Sequence, residues 1–168
     1  TYTQSSIRYV TNIGSSLSKG IEMYVEGNLI QTHHSGRIIS VHPFASIAYN
    51  EAVYTSWNDP TIAAGSSSDR TNNMVENAPR RIQRYGLTCK LNRFTATYQL
   101  NKVSDAFADA LNTLTPNAAA TTGLIPAYQV SDLSFAYNGK EKYTLQVGVN
   151  NLFDESYFTR RAGGYPGP

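Results

Sequence analysis

One cysteine in 168 residues leaves no partner for an internal disulfide. That residue, Cys89, sits in an alternating stretch and reads as a small apolar side chain. Tryptophan also occurs only once. The formal net charge is +2, and lysine and arginine are scattered apart from Arg80-Arg81 and Arg160-Arg161, so there is no basic stripe for nucleic acid. No apolar run approaches the roughly 20 residues that a membrane helix needs, which excludes a helical membrane protein. A transmembrane barrel is not excluded, because its strands need only about 9–11 residues with every second one apolar. Also missing are a phosphate-binding glycine loop, a paired-cysteine metal site and a nucleophile elbow.

What the chain does have is alternation. Tyr143, Leu145, Val147 and Val149 interleave with Thr144, Gln146, Gly148 and Asn150. Successive strand side chains point to opposite faces, so this stretch has one apolar and one polar face. Leu133, Phe135 and Tyr137 alternate with Asp132, Ser134 and Ala136 just before it. Asn138-Gly139 joins the two runs, and such a pair tolerates the positive φ of a tight turn, so the spacing predicts a hairpin.

The same pattern recurs upstream. Six antiparallel strands are expected: Tyr9–Ile30, Arg37–Trp57, Asn77–Leu91, Arg93–Asp105, Ala127–Asn138 and Lys142–Phe153. In the first, Ile21, Met23, Val25 and Leu29 share a face opposite Glu22, Tyr24 and Glu26. Pro43 in the second lacks an amide donor and implies a bulge or an open ladder. Asn92 centres a very short turn, and Asp105 to Leu111 is compatible with a helical turn. His33 and His34 are adjacent and project oppositely on a strand, so they read as an exposed turn pair rather than a chelate.

Connection lengths set the topology. The turns at Gln31–Gly36, Asn92 and Asn138–Glu141 are short, whereas Trp57–Glu76, Ala106–Pro126 and the stretch beyond Asp154 are several times longer. Short and long alternate throughout, as in outer-membrane barrels with tight periplasmic turns and extended outer loops. Tyr49, Tyr54, Trp57, Tyr128, Tyr157 and Phe158 gather near strand ends on the long-connection side. Tyr and Trp settle where hydrocarbon meets headgroup, although aromatic residues are common in strands generally. The fold class is therefore all-β, an antiparallel up-and-down meander of about six strands belonging to a large transmembrane β-barrel.

Val149-Asn150-Asn151-Leu152-Phe153-Asp154, then Tyr157-Phe158 and Arg160-Arg161, resembles the penultimate strand of TonB-dependent outer-membrane receptors. The ending AGGYPGP resembles the last extracellular loop of their ferric-citrate and siderophore branch. Gly20-Ile21-Glu22 after Asn12-Ile13-Gly14, and Ala78-Pro79-Arg80, match the barrel pattern of that family. The resemblance implies a barrel of about 22 strands in the bacterial outer membrane. It implies uptake of a ferric chelate, citrate or siderophore, driven by a TonB-type energy-coupling protein, with outer-membrane lipid as the surroundings. Iron enters only as part of the cargo, and no cofactor, nucleic-acid partner or enzymatic activity is expected.

On that resemblance residues 1–168 are a C-terminal part of the barrel, with the final strand and the N-terminal plug outside the chain. No signal peptide is seen, and Thr1 is not a natural start. Glu22 and Glu26 are expected to brace the plug or neighbouring strands.

Ligand candidates are Arg70, Arg160 and Arg161, because guanidinium forks suit anionic chelates. Trp57, Tyr157 and Tyr165 are candidate stacking surfaces. The competing reading pairs these arginines with Asp69, Asp154 or lipopolysaccharide phosphates. Asp105, Asp109, Asp132 and Asp154 read as solvated acids, not as an acid/base set. A passive porin or a soluble β-rich binding module are the alternative functions.

Overall fold

The computed structural model describes residues 12–34, 37–57, 69–139 and 142–161. The strands are, in order, β1 (Gly14–Glu26), β2 (Ile30–His34), β3 (Arg37–Trp57), β4 (Arg81–Leu91), β5 (Phe94–Val103), β6 (Ala106–Phe107), β7 (Leu124–Ile125), β8 (Tyr128–Gly139) and β9 (Tyr143–Val149). β1, β3, β4, β5, β8 and β9 lie side by side in that order, every pair antiparallel, and β2 pairs with β3 beyond the end of β1. β1 and β2 thus share one lane, and the sheet is the expected six-lane meander. The expected bounds of β3 are those observed. The outset of the first strand at Tyr9 lies outside the described residues. Among the described residues the outer edges of the β1–β2 lane and of β9 carry no strand partner, so the sheet is open.

Register turns the alternation of single strands into two continuous faces. Ile21 lies opposite Tyr49, Met23 opposite Ile47 and Val25 opposite Ala45. Val41 meets Cys89, which meets Ala96, which meets Phe135, which meets Val147. Leu91, Phe94, Tyr137 and Leu145 form the next such row. Ile21 is 75% exposed and Leu145 62%, with Phe94, Leu87 and Tyr98 exposed on the same face. On β3 this apolar stretch runs from Ile39 to Tyr49, the span that about 9–11 tilted residues need to cross hydrocarbon.

The opposite face is polar. Ser18 donates to Asn50 across β1–β3 (2.8 Å), Thr88 and Thr97 hydroxyls meet across β4–β5 (3.1 Å), and Arg84 donates to Asn101 (3.0 Å). Asn101 reaches Asp132 on β8 (3.4 Å), so side-chain bonds cross three strands.

The ladder opens where Pro43 lacks its donor. Gly27 N–H donates to the Pro43 carbonyl (3.0 Å), which puts the missing Pro43 amide on the same edge. Glu26 pairs with Phe44 and Ile30 with Val41, so one extra residue bulges on the β1–β2 lane. That residue reverses the alternation. Ile30, and not Leu29, resumes the apolar face beside Val41, which corrects the placement of Leu29 with Ile21 and Met23.

Three further expectations change. The first strand continues past Gln31 to His34, which pairs with Arg37, leaving only residues 35 and 36 between the lanes. Asn138 and Gly139 are strand residues, opposite Thr144 and Tyr143, so the connection starts after them instead of at them. A Cβ at Gly139 would stand 2.4 Å from the Tyr143 ring, so glycine is there for close approach of the ring. Ala106–Phe107 form a strand with Leu124–Ile125, in place of a helical turn, because Ala106 and Ile125 bury each other at the base of the connection. Asn92 behaves as expected: with φ of 53° it sits in the two-residue turn between Leu91 and Phe94.

Candidate functional site

All long connections leave the same end of the sheet, and two of them are folded together there. Residues 72–75 run back alongside upper β3: Asn72 N–H donates to Tyr54 O (2.8 Å), Tyr54 N–H to Asn73 O (2.9 Å) and Val75 N–H to Ala52 O (3.0 Å). The Tyr54 hydroxyl donates to the Glu76 carboxylate. The Asn112 amide then clips the second long connection onto the first, accepting from Met74 N–H (2.7 Å) and donating to Met74 O (2.8 Å). Asn73 donates to Ala110 O (2.8 Å), and Asn77 N–H to Phe107 O (2.8 Å).

Asp109 organises the second connection from inside. Its Oδ1 accepts from Leu111 N–H (3.1 Å), Thr113 N–H (3.3 Å) and the Thr113 hydroxyl (2.9 Å), and its Oδ2 accepts from Gly123 N–H (3.1 Å). Burial pushes this carboxyl up, but the donors of Gly123, Thr113 and Leu111 outweigh it and hold the group below the usual aspartate range. Asp109 is therefore a structural hub, not a solvated acid. An aspartate two residues before the amide that it accepts is an Asx-turn, and Asp109-Ala110-Leu111 carried that signal in the sequence. Asp132 likewise is engaged, accepting from Asn151 N–H (3.0 Å).

The candidate ligand residues fall into two groups. Trp57 ends β3, edge-on to Tyr54 with centroids 4.9 Å apart, and the Arg70 guanidinium lies 5.8 Å from its ring. Beside Arg70, the Thr71 hydroxyl and amide hold Asp69 below the usual carboxylate range. The second group is Tyr157, stacked on Tyr128 at 4.5 Å, and Arg161, whose guanidinium lies 4.7 Å over the Phe158 ring and donates to Leu124 O (3.3 Å). Arg160 is exposed and engages no group among the described residues. Tyr165 lies outside the described residues. β4 and β5 separate β3 from β8, so the two groups stand about 14 Å apart at the strand ends. The structure does not bring the two groups together. Arg161 takes an aromatic face and a carbonyl instead of Asp154.

A six-lane meander with an exposed apolar belt and every long connection at one end is the wall of a large outer-membrane barrel. The family model described as TonB dependent receptor-like, beta-barrel matches residues 1–152. The chain belongs to that family. TonB-dependent receptors are transporters and not enzymes, and membership of their barrel family displaces the soluble binding module. Among solved structures, the chain is similar to the ferric citrate transporter FecA in its unliganded form, with a TM-score of 0.64 and 21% identity. That match covers 92% of this chain and 26% of FecA. It is also similar to the siderophore receptor PiuA from Acinetobacter baumannii, with a TM-score of 0.62 and 24% identity, over 90% of this chain and 20% of PiuA. The chain therefore spans about a quarter or less of the length of these structural relatives, and at such identity the likeness is one of fold.

Proposed function

We propose that this chain is barrel wall and part of the outer vestibule of an outer-membrane receptor that imports ferric chelates with energy from the TonB system. Membership of the TonB-dependent receptor barrel family over residues 1–152 carries the reading, and the two structural relatives, a ferric citrate transporter and a siderophore receptor, favour a chelate as cargo.

The rim supports that choice of cargo. The Arg161 guanidinium is held over the Phe158 ring and the Arg70 guanidinium lies near the Trp57 ring, which places cationic forks beside aromatic faces. Arg160 adds an exposed positive charge three residues after Tyr157, which stacks on Tyr128. Such groups suit an anionic iron complex: the forks meet carboxylates and the rings meet flat ligand surfaces. Ferric citrate and siderophore complexes share this chemistry, and the contacts named are the proposed first points of capture. Trp57 and Tyr165 complete the proposed set.

The test is equilibrium binding on the full-length receptor with ferric dicitrate, a catecholate and a hydroxamate siderophore, cobalamin and an oligosaccharide. One ferric complex should bind, and Arg160→Gln together with Arg161→Gln should weaken it about tenfold. Tight binding of the glycan with none of any ferric complex overturns the reading.

A further inference from the structure

Asn112 belongs to neither of the two groups at the rim, yet bonds from both lead to it. Its φ of 56° is the left-handed backbone that asparagine tolerates, and it closes a turn in which its own N–H donates to Asp109 O (3.0 Å). The side-chain amide is fully engaged by the fold. Its Oδ1 accepts from Met74 N–H (2.7 Å), while Nδ2 donates to Met74 O (2.8 Å) and to Asp109 O (3.3 Å). Both hydrogens of Nδ2 are thereby used. Asn112 is therefore not itself a ligand contact, and any effect on binding must pass through what it holds.

On one side it holds Met74. Asn73, the residue before, closes a turn by donating its N–H to Arg70 O (2.9 Å). The place of Arg70 beside Trp57 thus depends on a turn whose far end Asn112 pins. On the other side Asn112 is bonded to Asp109, whose Oδ2 accepts from Gly123 N–H (3.1 Å), and the next carbonyl, that of Leu124, receives Arg161 Nε (3.3 Å). A connected series of bonds therefore runs across the rim from Arg70 to Arg161, with Asn112 as the joint between the two long connections. Elsewhere these connections meet through single bonds, Asn73 to Ala110 and Asn77 to Phe107.

We propose that Asn112 is a positioning residue for chelate capture: by locking the β3–β4 connection to the β5–β8 connection, it holds the Arg70 and Arg161 groups at a fixed separation before the ligand arrives. Groups ordered in advance add their contributions to one ligand, whereas a connection that must be ordered on binding forfeits part of its own. A side chain that supports the contacting residues from behind does this without touching the ligand. The proposal rests on the chelate-import reading and deepens it, since it concerns the same rim.

The test is equilibrium binding of ferric dicitrate, a ferric catecholate and a ferric hydroxamate siderophore to the full-length receptor in detergent. Asn112→Gly keeps the left-handed backbone and removes only the side-chain clip. It should weaken the complex that binds about tenfold, with the number of sites at saturation unchanged. Arg70→Gln should weaken it about tenfold in the wild type but less than about twofold in Asn112→Gly, because an unpinned Arg70 has little left to lose. Asn117→Ala loses bonds to Thr121 and Thr122 inside the second connection alone, and should bind like the wild type. Heat-dependent gel mobility shows that each variant is folded. If Asn112→Gly is not, Asn112→Asp takes its place, since it keeps the acceptor for Met74 N–H and lacks the Nδ2 donors. Unchanged affinity in the Asn112 variant, a full Arg70→Gln effect on top of it, or an equal loss in Asn117→Ala overturns the proposal and leaves the cargo reading intact. A wild type that binds none of the three ferric complexes overturns the cargo reading, and this proposal with it.

Discussion

Asp109 shows how much of a long surface connection hangs on one carboxylate. Four donors converge on it, from Leu111, Thr113 twice and Gly123, so Asp109→Ala leaves the part-buried amides of Thr113 and Gly123 without an acceptor. That loss should cost the connection about 1–3 kcal/mol of local stability, read as faster amide exchange at Leu111, Thr113 and Gly123. The pH dependence has a definite sign. A carboxyl held below its unfolded value contributes stability that is present above that value and lost as pH falls through the folded one. Protection at the same amides, relative to their intrinsic exchange rates at each pH, should therefore fall below about pH 4 and hold from there to neutrality. Gly86 offers a steric counterpart. A Cβ there would stand 2.1 Å from Cζ of Phe44, which pairs with it from β3. Gly86→Val should destabilise the barrel by about 1–3 kcal/mol in urea titration, and Phe44→Ala in the same chain should recover much of it.

Among the elements, β9 tests the two faces most simply because it has few residues and no buried ones. Leu145 and Val147 lie on the apolar face, and Gln146 between them on the polar one. An arginine facing hydrocarbon near the midplane costs about 2–4 kcal/mol, whereas a lumen-facing one meets water. Val147→Arg should thus lower folding yield into lipid vesicles markedly, while Gln146→Arg should fold like the wild type. Equal yields would reverse the facing. The β1–β2 lane carries the complementary lesson. Alternation was readable on each side of Gly27, and Pro43 signalled a disturbance in the ladder. The side on which the extra residue sits, and hence the switch from Leu29 to Ile30, depends on a partner strand and not on the residues themselves.

For the molecule as a whole, lipid contact and pairing of the sheet edges set the behaviour. Spin labels at Leu87, Phe94 and Leu145 in the full-length receptor should be quenched by lipid-soluble oxygen, and labels at Thr88 and Gln146 should not. A segment of these 168 residues produced alone in water should aggregate, since an exposed apolar face and two open strand edges both invite association. A monomeric, cooperatively unfolding segment by light scattering and urea titration would remove the membrane-wall reading. Pairing of both edges by polypeptide outside these residues is the arrangement we expect in the intact receptor, because unpaired backbone groups in hydrocarbon cost several kcal/mol each.

Strand order, the sharing of faces within each uninterrupted strand and the side of the long connections followed from the sequence because a period of two and a short–long rhythm are local properties of a chain. That Trp57, Arg70, Tyr157 and Arg161 fall at the long-connection end was legible residue by residue. Their partners were not: the ring under Arg161 is a near neighbour, but its carbonyl is Leu124, 37 residues away. The Asn112 clip onto Met74 and the division of the rim into two groups were likewise decided only in three dimensions. Alternation tells each residue which way it faces, but the sliding of one strand against the next decides which residues share a height, and that is fixed by turns, bulges and packing of the whole sheet.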